Sequence, residues 1–114
     1  MSIMTLEVRS LDQTLTDFAQ AWQTGTTTEP RISFETPEQL WKTFTPKRWA
    51  LLRAMTGKGA IPLRQIARTV GRDVKAVHSD VHALIDVGII DRTEAGFLFP
   101  FDGIHVDFTV MAVA

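Results

Sequence analysis

Residues 62–88 read PLRQIARTVGRDVKAVHSDVHALIDVG, and the periodicity of this stretch decides how the chain folds. Leu63, Ile66, Ala67 and Val70 fall at i, i+3, i+4 and i+7, one face of a short amphipathic helix. Gly71 is placed to end that helix. Val74, Val77, Val81, Leu84 and Ile85 then form the inward stripe of a second helix, closed by Gly88. The turn between them, Gly71-Arg72-Asp73, has the short form a helix-turn-helix requires. Once the inward stripe is removed, Lys75, His78, Ser79 and His82 remain on the outward side of the second helix, again at i, i+3, i+4 and i+7. Each carries a donor suited to a phosphate or a base edge.

Charge gathers around the same stretch. Between Lys42 and Lys75 stand nine basic residues (Lys42, Lys47, Arg48, Arg53, Lys58, Arg64, Arg68, Arg72, Lys75) against the single acid Asp73. The remainder holds Arg9, Arg31 and Arg92 against twelve acids, so a formal net charge of −1 conceals a basic third and an acidic remainder. Local clustering of Lys and Arg, which the whole-chain average hides, is the electrostatic footprint of a nucleic-acid binder. Arg72 stands at the start of the second helix, where backbone N–H groups also favour a phosphate. Arg64, Gln65, Arg68 and Thr69 belong to the first helix, which braces the second and contacts the nucleic-acid backbone.

Towards the N-terminus, Thr36-Pro37 and Thr45-Pro46 are consecutive N-cap and N1 pairs. They predict one helix carrying Leu40, Trp41 and Phe44, and another carrying Trp49, Leu52 and Met55 inward, stopped by Gly57-Lys58-Gly59. Residues 3–8 and 31–35 have strand character, and Leu11 to Trp22 has helical spacing with Ser10 or Asp12 as its cap and Gly25 at its end. After Gly88 the period changes from helical to alternating. Ile89–Thr93 and Phe97–Phe101 bracket Glu94-Ala95-Gly96 as a hairpin, and Ile104, Val106, Phe108 and Val110 alternate as one more half-buried strand.

The expected class is α+β: a single domain over 1–114, with a strand–helix extension at 1–35, a core of three helices and a hairpin at 36–101, and a last strand at 102–114. The chain has no Cys and no apolar run near the ~20 residues a membrane span requires, and MSIMTLEVRS lacks the pattern of a secretory signal. A cytoplasmic protein with no membrane partner is the expectation.

Other chemistries find little support. His78 and His82 are spaced i, i+4 with Asp86 on the same face, but Ser79 stands where the zincin pattern needs Glu, so neither a metal nor another cofactor is expected. Gly57-Lys58-Gly59 lacks P-loop spacing. Ser79, Asp80 and His82 lie on one helix without an elbow or oxyanion element, so no catalytic residues and no enzyme are expected. Trp22, Trp41 and Trp49 sit at inward helical positions and read as core or interface.

The segment from about Trp49 to Phe101, above all VGRDVKAVHSDVHALIDVGII and the following GFLFPFDGIHVDF, resembles the winged helix-turn-helix of MarR-like regulators of bacteria and archaea. It is most similar to the group of small predicted transcriptional regulators, which are often encoded beside a toxin. The opening MTLEVRSLDQTLTDFAQAW resembles the start of that group. The resemblance implies that Leu63–Val70 braces, that Asp73–Val87 is the recognition helix, and that Arg92, Thr93 and Glu94 lie near the wing tip, where an Arg reaches the minor groove or a phosphate. The wing is short and pairs its base with an acid, unlike strongly basic wings. The expected function is a homodimeric repressor that reads double-stranded DNA with Lys75, His78, Ser79 and His82. Arg64, Arg68, Thr69, Arg72, Lys47, Arg48 and Arg92 would supply backbone contacts. Two alternatives stay open: an antitoxin that sequesters a basic toxin and regulates its own operon, and a winged helix used only for protein contacts.

Overall fold

The computed structural model describes residues 2–9 and 30–109. The helix expected over Leu11–Trp22, its caps and the end of the last strand at Val110 lie outside the described residues. Within them the chain runs β1 (Ile3–Val8), β2 (Arg31–Phe34), α1 (Pro37–Thr43), α2 (Pro46–Met55), α3 (Leu63–Val70), α4 (Val74–Asp86), β3 (Asp91–Thr93), β4 (Gly96–Leu98) and β5 (Gly103–Asp107). The fold is α+β, with one three-stranded and one two-stranded sheet among the described residues.

Local chemistry sets the helix boundaries. Thr36 caps α1 by accepting from the Gln39 backbone N–H, and the Gln39 side chain accepts in return from the Glu35 N–H. One of the donors orphaned at the helix start is thereby satisfied, and the chain entering the helix is tied to its first turn. Thr45 does the same for α2 through the Arg48 N–H, so the second helix begins as soon as the first ends. Gly71 terminates α3 at φ 69° and ψ 37°, and the Arg72 N–H closes back on the Ala67 carbonyl at 3.0 Å. That left-handed corner suits glycine, and it lets Asp73 cap α4 within two residues.

Helices α2, α3 and α4 pack in sequence around Leu51, Leu52, Met55, Ile66, Ala67, Val77, Val81 and Leu84, all buried. Ile89 and Ile90, expected in the first strand of the hairpin, instead plug this core, with both amides donating to the Leu84 carbonyl. The hairpin is accordingly shorter than its alternating pattern, starting at Asp91 and ending at Leu98 before Pro100. It is fastened to the segment ahead of α3 by a reciprocal pair, Ile61 N–H to Phe97 O and Phe97 N–H to Ile61 O, each 2.8 Å.

The second sheet joins the two ends of the described chain. Its order is β2-β1-β5, with β1 parallel to both neighbours: Leu6 pairs with Ile32 on one side and with Val106 on the other. Asp102 secures the start of β1, its N–H donating to the Ser2 carbonyl and its carboxylate accepting from the Ser2 N–H. Helix α1 rests on β1 and β2, and Met4, Leu6, Phe34, Leu40 and Phe44 continue the core there. Glu7 is buried in this sheet, accepting from Ser33 Oγ at 2.9 Å and from Arg31 Nη1 at 3.3 Å. Trp41, expected inward, is 49% exposed, its ring packed edge-on against Phe108. No helix among the described residues is long and apolar enough to cross a membrane.

Candidate nucleic-acid interface

Helix α4 presents Lys75, His78 and Ser79 to solvent, as its helical spacing requires once Val77, Val81 and Leu84 are buried. Val74, expected within the inward stripe, is 40% exposed at the first turn and adds an apolar spot to the outer face. His82 departs from the expected outward position. It is half-buried, its ring 6.2 Å from Phe97 of β4 and 4.1 Å from the His78 ring. His82 thus belongs to the joint between α4 and the hairpin, while His78 covers it from outside.

Arg64, Gln65, Arg68 and Thr69 are exposed along α3. The Thr69 hydroxyl donates to the Gln65 carbonyl at 2.9 Å, so its proton is spent within the helix and the oxygen remains an acceptor. Arg64, Arg68, Lys75 and Lys47 make no ion pair among the described residues, and Lys47 stands exposed at the start of α2.

Arg48 and Arg72 are placed differently. Both converge on Asp80, midway along α4: Arg48 Nε donates to Oδ1 at 3.0 Å and Arg72 Nη2 to Oδ2 at 2.8 Å. Arg48 Nη1 also donates to the Thr43 carbonyl at 2.8 Å. The three side chains are only 20%, 21% and 16% exposed, in the order Arg48, Arg72, Asp80. Burial alone would push the Asp80 carboxyl up. The hydrogen bonds and charges of Arg72 and Arg48 outweigh it and hold the group below its ordinary value of 3.8. Spacing in the sequence treated these arginines as phosphate contacts and gave Asp80 no role of its own. The usable signal was an acid three residues after Val77 and one before Val81, on the flank of a core stripe just beyond the basic segment. Such an acid requires a cation.

A groove of about 590 Å³ runs between the start of α2 and α4, with Lys47 and Ser79 at its sides and Arg72 and Asp80 also lining it. The hairpin carries Asp91, Arg92, Thr93, Glu94 and Ala95, all exposed, so Arg92 projects from a tip that is not basic overall. Among the described residues no group of three His, Cys, Asp or Glu side chains is arranged to hold a metal ion.

No curated protein matches the chain. The model of the HVO_A0114 family matches residues 43–106, from the last residue of α1 into β5. This span is more than half of the 114 residues and contains the whole of the basic face and the hairpin. The chain belongs to the HVO_A0114 family.

Proposed function

We propose that this chain is a winged helix-turn-helix protein that binds double-stranded DNA and regulates transcription, acting as a homodimeric repressor. The observation that carries the reading is one continuous solvent-facing surface on α3 and α4. It holds Arg64, Arg68, Lys75, His78 and Ser79, and its cations have no acidic partner among the described residues. Helix α4 has 13 residues, is joined to its brace by a tight turn, and is followed at once by a hairpin. This is the order of parts in a major-groove reader with a wing. Ser79 would face base edges and Lys75 both base edges and phosphates, while Arg64, Arg68 and Lys47 would grip phosphates. The hairpin seats the helix through Phe97 and His82, and Arg92 contributes from the tip.

A single short helix covers few base pairs, so paired half-sites and a dimer follow from the need for specificity. Titrating labelled duplex from upstream of the chain's own gene at several salt concentrations tests the reading. Binding that tightens steeply as salt falls, and that exceeds binding to a scrambled duplex, supports it. Light scattering that finds a monomer both alone and on DNA refutes the dimer.

The acidic remainder favours a second reading. Asp86, Asp91, Glu94, Asp102 and Asp107 are exposed around the hairpin and β5, a surface complementary to a small basic protein. An antitoxin that neutralises an RNA-acting toxin and regulates its own operon would use both surfaces. Co-purification with a basic partner encoded next to it tests this reading.

A further inference from the structure

Asp80 carries a consequence for selectivity that rests on the DNA-binding reading. We infer that Asp80 is a specificity-determining residue: it withholds Arg48 and Arg72 from DNA phosphates, so that less of the affinity is indifferent to sequence.

The two arginines come from different elements, α2 and the turn before α4, yet both end on the two oxygens of one carboxylate. Bonds of 2.8 and 3.0 Å between ions of about one-fifth exposure or less are strong charge-assisted hydrogen bonds. Drawing either arginine out to a phosphate would leave a half-buried carboxylate short of compensation, which is costly. Arg48 is doubly held, because its Nη1 also serves the Thr43 carbonyl. Arg72 Nη1 is buried without a hydrogen-bond partner, a cost that the bond from Nη2 to Asp80 offsets in holding this guanidinium inside. The lowered pKa of Asp80 agrees with a carboxylate held charged between two cations.

The position of Asp80 makes this restraint matter. It follows Ser79 and lies one helical turn after Ala76, beside the groove in which a backbone phosphate would meet Lys47 and Ser79. Without Asp80, that groove would present Lys47 and a released Arg72 to any duplex whatever its sequence. With it, the cations left to grip phosphates are those of α3, Lys47, Lys75 and, from the hairpin tip, Arg92. Phosphate contacts add affinity without information, whereas base contacts discriminate. An acid that neutralises the first kind therefore raises the ratio between cognate and random sites.

The test compares salt slopes for cognate and random duplexes. Asp80→Asn keeps the side-chain size and removes the charge. Its slope of log affinity against log salt should steepen by about 1–2 units per protomer, about 2–4 for the dimer, as one or two cations of each join the contact. Random duplex should then bind up to about tenfold more tightly at low salt, and the cognate-to-random ratio should fall. In the wild-type background Arg48→Ala and Arg72→Ala should leave the slope unchanged, whereas Arg64→Ala should flatten it by about 0.9 per protomer, about 1.8 for the dimer. In the Asp80→Asn background, Arg72→Ala should bring the slope back towards wild type. If Asp80→Asn weakens binding equally at all salt concentrations, or if Arg72→Ala alone flattens the wild-type slope, the inference is overturned and the DNA reading stands. If wild-type protein binds no duplex at low salt, both are overturned. The arginine variants answer the question even if Asp80→Asn fails to fold, because they leave the acid in place.

Discussion

Replacing Gly96 with alanine probes how the hairpin is held to the helical core. Gly96 has φ +134°, and a Cβ there would collide with the Ile61 carbonyl oxygen and the Pro62 nitrogen. Both are backbone atoms and cannot rotate aside. The conformation itself costs an L-residue about 1–3 kcal/mol. Relieving the collision requires the strand to move off Ile61, opening the two 2.8 Å bonds between Ile61 and Phe97 at about 1 kcal/mol each. The sum is about 3–5 kcal/mol, and at roughly 4 °C per kcal/mol for a domain of this size Tm should fall by about 12–20 °C. Gly57 supplies the control. Its φ is +73° but nothing lies within 4 Å of an added Cβ, so Gly57→Ala should cost only the left-handed conformation, about 1–2 kcal/mol and less than about 8 °C. Thermal melts followed by circular dichroism measure both. If the two variants melt together, close contact with Ile61 is not what fastens the hairpin.

Other expectations follow from the same geometry. Arg64→Ala combined with Arg68→Ala should flatten the salt slope of duplex binding by about 2 units per protomer, about 4 for the dimer, and weaken cognate and random DNA alike, as read by fluorescence anisotropy. Ser79→Ala should alter preference among sequences by about 1–3 kcal/mol at the affected base pair while leaving the slope intact, measured on a panel of single-base operator variants. Ile66→Ala removes a side chain only 1% exposed between α2 and α4 and should cost about 2–5 kcal/mol in urea unfolding. The pH dependence has a definite sign. The folded Asp80 carboxyl lies below its ordinary 3.8, so its stabilisation is present above that value and is lost as pH falls through the lower folded value. Urea midpoints should show wild type more stable than Asp80→Asn at neutral pH, with the gap closing below about pH 4. A gap unchanged down to pH 2 would exclude the charged clamp.

The helices were legible because their signals are local. Thr36-Pro37, Thr45-Pro46 and Gly71 act within one turn of their own position, and the stripes of α3 and α4 repeat at the helical period. The strands were legible as segments but not as a sheet. Nothing in residues 3–8 indicates that β1 would lie parallel between β2 and β5, because pairing with partners about 26 and about 100 residues away leaves no periodic trace. The hairpin lost Ile89 and Ile90 to the core because burial outweighed their alternating pattern. At the candidate interface, exposure of Lys75, His78 and Ser79 followed from removing the core stripe. The retreat of His82 towards Phe97 and the capture of Arg48 and Arg72 by Asp80 depend on contacts between elements. Helical spacing places a charge on a face but does not name its partner.

The central claim is that the α3–α4 surface binds duplex DNA, and a salt-titrated anisotropy measurement on DNA from upstream of the chain's own gene tests it most directly. Three to four phosphate contacts per protomer from Arg64, Arg68, Lys75 and Lys47, doubled in a dimer on paired half-sites, predict a slope of about −5 to −7 and tighter binding than to scrambled duplex. No binding to either duplex at low salt, or a slope near zero, would contradict the account.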